Sequence, residues 1–173
     1  VSIGAVQAQT LQSILQTHAE EVAKPSRTSV DVLLDSLTQS DLPQVPKFLE
    51  SWAERNVWRE KSSGGFFIAT AADDMLTLQD VDTGVETTAL PNDYIQIRPN
   101  GGVRRMIGLA LVQFQLSEPD PVRRRAALDS IARRGDAEQL AQLITSLEGE
   151  DDPALLKRKQ ELVIFLTARF GDT

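Results

Sequence analysis

The stretch that decides the fold class is Ser117-Glu118-Pro119-Asp120-Pro121, which opens a helical pattern that Gly135-Asp136-Ala137 divides. A second helix follows, and Asp151-Asp152-Pro153 opens another helical pattern. The spacing from Asp120 to Asp152 is 32 residues, which is the length of a two-helix solenoid repeat. Such a unit cannot bury its apolar face alone and must stack on neighbours. It therefore predicts a scaffold or docking surface rather than an active site.

The residues around this repeat predict four helices between Gly101 and the C-terminus. Asp120 and Asp152 suit the N-cap, and the prolines after them suit the first turn, where a missing N–H does no harm. The apolar residues recur at helical spacing: Val103, Ile107, Ala110, Leu111 and Phe114, then Ala127, Leu128 and Ile131, then Leu140, Leu143, Ile144 and Leu147, then Leu155, Leu162, Val163, Leu166 and Phe170.

The N-terminal part predicts three more helices. Their apolar faces are Leu11, Ile14, Leu15, His18 and Val22, then Val30, Leu33, Leu34 and Leu37, then Val45, Phe48, Leu49 and Trp52. Lys24-Pro25-Ser26 and Ser40-Asp41-Leu42-Pro43 separate them. The short breaks favour an antiparallel helical pair.

The centre of the chain predicts two β-hairpins. The first joins residues 56–61 to 66–72 through Ser62-Ser63-Gly64-Gly65, and the second joins 75–81 to 85–90 through Asp82-Thr83-Gly84. β-branched and aromatic residues between glycine turns are typical of such strands.

From these patterns we expect a mainly α fold, in which HEAT-like antiparallel helical repeats carry an inserted small antiparallel β-meander, giving an α+β combination. The expected segments are an N-terminal helix in 1–27, a first helical pair in 28–55, the meander in 56–98 and HEAT-like repeats in 99–173. Residues 1–8 are small and uncharged, and two interpretations of them stay open: a signal-peptide remnant or a frayed terminus.

Composition excludes several classes of function. The 173 residues carry a net charge of −7, which argues against a general nucleic-acid binder. There is no cysteine and one histidine, His18, so a typical zinc site cannot be built and His18 is expected to pack at a helix contact. The longest apolar run, 106–116, is too short to span a membrane, so we expect a soluble segment. We expect no cofactor, no metal and no catalytic residue, because no nucleophile or phosphate-loop motif is present.

Two groups of residues are candidates for an interaction surface. Arg104, Arg105, Arg123 and Arg124 are the basic ones. The runs Arg123-Arg124-Arg125 and Arg133-Arg134 could dock an acidic partner or lipid headgroups, and an anion could sit at the start of the helix that carries Arg104 and Arg105. The alternative is a solvated helix face paired with carboxylates such as Asp129, four residues after Arg125. Trp58 and Tyr94 are the aromatic candidates for a contact surface.

The segment from Asp120 to Asp136 resembles the HEAT-like pattern, in which D-P-x-V-R opens one helix and G-D precedes the next. The order of the elements before it is similar to that of the N-terminal extracytoplasmic domain of urea-type (UrtB-like) ABC-transporter permeases, within the branched-chain amino acid permease family. These elements are Leu42-Pro-Gln-Val-Pro-Lys-Phe-Leu-Glu-Ser-Trp52, a Trp58-Arg59-Glu60-Lys61 strand, the Asp82-Thr-Gly84 hairpin and Ile97-Arg98-Pro-Asn-Gly-Gly-Val-Arg-Arg105. The resemblance covers 28–173. The two glycines before Arg104 depart from the family pattern at that turn.

The resemblance implies a non-enzymatic, periplasmic domain of a urea or short-chain amide importer. Its partners would be the periplasmic substrate-binding protein and the other importer subunits, and the full-length protein would be embedded in the membrane. Two alternatives stay open: a small-ligand sensor with an amide pocket formed by the meander and adjoining helices, or a generic HEAT-like interaction module. A HEAT-containing enzyme akin to the bilin lyases is disfavoured by the lack of cysteine and the single histidine.

Overall fold

The computed structural model describes residues 9–170, and the interpretations of residues 1–8 fall outside this range. The chain divides into two compact units, 1–107 and 108–173, with the boundary inside one helix. The helices are α1 (Leu11–Thr17), α2 (Ala19–Ala23), α3 (Val30–Gln39), α4 (Val45–Ala53), α5 (Gly101–Leu116), α6 (Pro121–Arg134), α7 (Ala137–Leu147) and α8 (Pro153–Phe170). The strands are β1 (Val57–Glu60), β2 (Phe66–Ala72), β3 (Met75–Asp80), β4 (Glu86–Ala89) and β5 (Tyr94–Gln96).

The predicted mainly α array of HEAT-like repeats with an inserted meander is wrong, because helices and sheet together form a mixed α+β fold. One five-stranded antiparallel sheet has the order β4-β3-β2-β1-β5. The sequence patterns missed β5, which follows a 3₁₀ turn at Pro91–Asp93 and pairs with β1, Trp58 opposite Gln96 and Glu60 opposite Tyr94. Three residues are too few to show a period. This pairing makes β1 an interior strand.

The sheet belongs to the core of the first unit. Val57 and Phe66, on the inner strands, are fully buried, together with the apolar faces of α1 to α4. The side chain of Gln12 on α1 holds the backbone of Phe66: its Nε2 donates to the Phe66 carbonyl at 2.9 Å, and its Oε1 accepts from the Phe66 N–H at 3.0 Å. A core shared by helices and sheet is the reason why the meander is not an insertion into a helical array.

The first predicted helix is interrupted at His18. This residue has φ −113° and ψ 35° between α1 and α2, and its Nε2 lies 3.3 Å from Ser36 Oγ on α3. His18 therefore has a structural hydrogen bond at a helix contact.

The second unit contains the remainder of α5 and the helices α6 to α8. Its core is made of apolar residues at helical spacing: Val112, Leu116, Ala127, Leu128, Ile131, Leu143, Leu155, Leu162 and Leu166. Asp120 accepts from the Val122 N–H at 2.9 Å, and Asp152 accepts from the Ala154 N–H at 2.9 Å. The N-caps of α6 and α8 thus form as their sequences predict. No helix among the described residues combines the length and apolarity needed to cross a membrane.

Candidate functional site

Trp58 and Tyr94, the two aromatic candidates, lie on the same face of the sheet as Phe67. Phe67 is the register partner of Trp58, and Tyr94 is the partner of Glu60 on the other side of β1. The rings of Phe67 and Tyr94 are 6.0 Å apart and meet edge to face at 78°. We call Trp58, Phe67 and Tyr94 the aromatic face. All three side chains are half-buried.

The aromatic face packs against a small apolar cluster on the same side of the sheet. This cluster consists of the buried residues Ala69, Leu76 and Leu78 on β2 and β3. Ala69 pairs with Leu78, and Ala71 with Leu76, so alternate residues of both strands point to this side of the sheet. The period-2 alternation positions the aromatic rings on a rigid support.

Beside Tyr94 lies a shallow pocket of about 270 Å³, lined by Glu60, Lys61, Ser62, Ala89, Leu90, Asp93 and Tyr94. Burial raises the pKa of the Tyr94 phenol, and the nearby Glu60 carboxylate, which accepts its hydrogen bond, raises it further. The phenol therefore stays protonated at neutral pH. Its single hydrogen is directed to the Glu60 carboxylate.

The predicted basic residues fall in different surroundings. Arg104 and Arg105 are exposed in the first turn of α5, where Asn100 Oδ1 already accepts the Val103 N–H at 3.0 Å. Arg123 is 72% exposed and contacts Glu118 at 3.4 Å. Asp129, expected beside Arg125, instead lies 3.9 Å from Arg158 on α8.

Arg124, in contrast, is buried in an ion network of four residues: Arg124, Glu150, Asp151 and Lys159. Glu150 accepts a hydrogen bond from Arg124 Nε at 3.1 Å. Its carboxylate also forms ion pairs with Arg124 Nη2 at 3.0 Å and Lys159 Nζ at 3.1 Å, and its side chain is fully buried. Asp151 lies 3.3 Å from Arg124, but its carboxylate is 90% exposed. Arg124 thus contributes no exposed charge to a docking surface.

The ion network joins helix ends of the second unit. Lys159 Nζ also donates to the carbonyls of Leu116, the last residue of α5, and Ser146, near the end of α7, at 3.2 and 3.1 Å. A cation is favourable at both places because helix C-termini carry negative partial charge. In the sequence, Lys159 lies at helical spacing between the core residues Leu155 and Leu162. This spacing could have indicated that its side chain is buried.

The surroundings of Glu150 predict that the second unit loses stability in acid. Burial alone would raise the pKa of its carboxyl, but hydrogen bonds from the Asp152 N–H, Lys159 and Arg124 outweigh burial and hold the pKa below its usual 4.5. The stabilisation is fully present above about pH 4.5 and is lost as the pH falls through the lower folded-state pKa. Hydrogen exchange of α6 to α8 at decreasing pH should show this loss. Glu150→Gln should lack it, and an equal acid slope in both proteins would contradict the assignment.

Among residues 9–170, no group of three or more potential ligand side chains is placed to hold a metal ion. The arrangement offers an aromatic contact surface in the first unit and a buried ion network in the second. Comparison with protein-family models, with curated proteins and with solved structures found no match for this chain.

Proposed function

We propose that this chain is a non-catalytic protein-docking domain, facing the periplasm, of an importer for urea or short-chain amides. The observation that supports docking most directly is the aromatic face. The assignment to an importer rests on the order of sequence elements that resembles the urea-type permeases. The proposed partner is the substrate-binding protein of the same importer.

The aromatic face has the anatomy of a binding surface. Interface centres are enriched in Trp, Tyr and Phe, because these rings bury a large area at a small entropic cost and Trp and Tyr also carry a polar tip. Around Tyr94 the pocket has charged neighbours, Glu60, Lys61 and Asp93, and the 59% exposed Leu90. An apolar centre with a polar rim is the usual arrangement of transient interfaces.

The charged groups of the second unit support the same proposal. Glu150 and Lys159 have side chains of kinds that could act as acid or base, but both are held by hydrogen bonds and ion pairs within the ion network.

The basic candidates that remain at the surface are Arg104 and Arg105 in the first unit and, separately, Arg123 in the second. Charges at an interface rim change the association rate more than the affinity.

Removal of either aromatic anchor should weaken docking. We expect Trp58→Ala and Tyr94→Ala each to reduce the affinity for the purified substrate-binding protein at least tenfold in calorimetric titration, because truncation of a central hot spot costs about 2 kcal/mol or more. Circular dichroism should show a retained fold.

Val122→Ala is the matched control, because Val122 is an exposed apolar residue of α6, 75% exposed and in the other unit. Its affinity should equal that of the unmodified chain. If neither aromatic substitution changes the affinity, the aromatic face is not the docking surface. If the unmodified chain does not bind the substrate-binding protein, the proposed function fails.

The amide-sensor alternative has less support. The pocket beside Tyr94, at about 270 Å³, is below the usual size of small-molecule sites. A generic HEAT-like interaction module would share the docking surface but bind a different partner.

A further inference from the structure

A second cavity lies wholly within the second unit, between the end of α5, the start of α6, α7 and the loop that follows α7. It is a groove of about 550 Å³, within the range of small-molecule sites. We call it the acceptor groove, for the chemistry of its wall. Leu116 and Pro119 provide apolar contact, and most of the other lining residues are polar or charged.

The hydroxyl groups that line the groove already donate hydrogen bonds to backbone carbonyls. Ser117, Thr145 and Ser146 each line it, and each donates to a backbone carbonyl of its own helix region: Gln113 at 2.8 Å, Ala141 at 3.0 Å and Leu143 at 2.7 Å. A hydroxyl has a single hydrogen to donate, but its oxygen has two lone pairs. Toward a ligand these three groups can only accept.

The two cations of the groove also have partners within the protein. Arg124 donates four hydrogen bonds, from Nε to Glu150, from Nη1 to the carbonyls of Glu118 and Pro119, and from Nη2 to Asp151. Its Nη2 also forms an ion pair with Glu150 at 3.0 Å. Lys159 uses three N–H groups, on Glu150, Leu116 and Ser146. An anion in the groove would therefore meet two cations whose N–H groups already point to acceptors of the protein.

Gln142 carries an acceptor without a donor. Its Oε1 is buried and has no hydrogen-bond partner among the described residues, and the residue lines the groove. A buried acceptor without a donor destabilises the fold until a partner satisfies it. Rotation of the terminal carboxamide toward the groove would let a ligand N–H satisfy it. At the rim, the exposed Asp151 carboxylate adds a negative charge.

We propose that the acceptor groove is a binding site for a small organic cation, whose primary ammonium or guanidinium group donates to Gln142 Oε1 and to the hydroxyl oxygens. The apolar part of the ligand would lie against Leu116 and Pro119. This site belongs to the second unit alone, so it stands or falls independently of docking through the aromatic face.

The test is an NMR titration of the full chain with butylammonium, butylguanidinium, butyrate, inorganic phosphate and urea. We expect saturable amide shifts for the two cations at Gln142, Ser146 and Gly149, and none for the two anions. Urea separates a neutral N–H donor from a cation and should bind at least tenfold more weakly. Tighter binding of butyrate or phosphate would overturn the proposal, and so would the absence of saturation by both cations.

Substitutions at Gln142 then test the acceptor itself. Gln142→Glu should bind the cations about tenfold more tightly, and Gln142→Leu, which keeps the bulk, at least tenfold more weakly. Gln160→Glu is the matched control, because it adds the same charge at an exposed position of α8 outside the groove and should leave binding unchanged. Equal affinities in the Gln142→Glu variant and the unmodified chain would reject the site.

Discussion

Replacement of Glu150 by glutamine is expected to lower the free energy of unfolding of the second unit by about 3–5 kcal/mol, the usual cost of breaking a buried ion pair from one side. Glu150 is the only carboxylate of the ion network with a fully buried side chain. Its loss leaves Arg124 and Lys159 buried with a neutral partner. In the glutamine variant, an NH₂ group would also replace one of the two Glu150 carboxylate oxygens and would face N–H donors instead of accepting from them.

The readout separates the two units. Both tryptophans, Trp52 and Trp58, lie in the first unit, so their fluorescence reports its unfolding. Far-UV circular dichroism and hydrogen exchange of α6 to α8 report the second. In urea, Glu150→Gln should lose helical signal and protection in α6 to α8 at lower denaturant than the unmodified chain.

Asp151→Asn is the matched control. Asp151 contacts the same Arg124 at 3.3 Å, but its carboxylate is 90% exposed. Exposed pairs contribute about 0–1 kcal/mol, so this variant should unfold almost as the unmodified chain does. Equal stabilities of the Glu150→Gln and Asp151→Asn variants would show that burial of a carboxylate does not determine how much it stabilises the second unit.

Replacement of Asp82 by alanine is expected to destabilise the first unit by about 2–3 kcal/mol, since charge-assisted hydrogen bonds and helix caps each contribute 1 kcal/mol or more. The Asp82 carboxylate accepts from the N–H groups of Leu11 and Gln12 at 2.7 and 3.1 Å, and from Gln44 Nε2 at 2.9 Å. It therefore holds the first turn of α1 and the start of α4 to the turn between β3 and β4.

The dependence should be strong because α1 has only seven residues. Helices of this length are not stable alone in water and need tertiary contacts. Tryptophan fluorescence in urea measures the loss. Asp82→Asn should be intermediate, because an amide keeps one acceptor oxygen and loses the charge. Glu86→Ala, at an exposed position of β4, should change stability by less than about 0.5 kcal/mol. Equal effects of Asp82→Ala and Glu86→Ala would contradict the cap.

The helical parts of the fold were predictable because their signals are local. Asp120 and Asp152 cap the helices that follow them, and Leu128, Ile131 and Leu143 of the predicted apolar faces are buried. Ile144 and Phe170, placed on the same faces from the sequence, are instead 49% and 37% exposed. Both hairpins also form where their glycine turns lie, and Gly84 has the positive φ of 74° that such turns require. The aromatic candidates Trp58 and Tyr94 do share one face, although Phe67 was not foreseen with them.

Sequence alone determined where helices begin, which faces are apolar and that a meander occupies the centre, because caps, periodicity and turn chemistry act within a few residues. Only the tertiary structure decided the fold class, the place of β5, the Asp82 cap on α1 and the burial of Arg124. Each of these depends on a partner that is distant in sequence: Asp82 lies 71 residues from Leu11, and Arg124 lies 26 residues from Glu150. The sequence does not distinguish a charged residue that faces water from one that pairs with a buried counter-charge. The difference depends on the low dielectric of the protein interior, which exists only after the chain has folded.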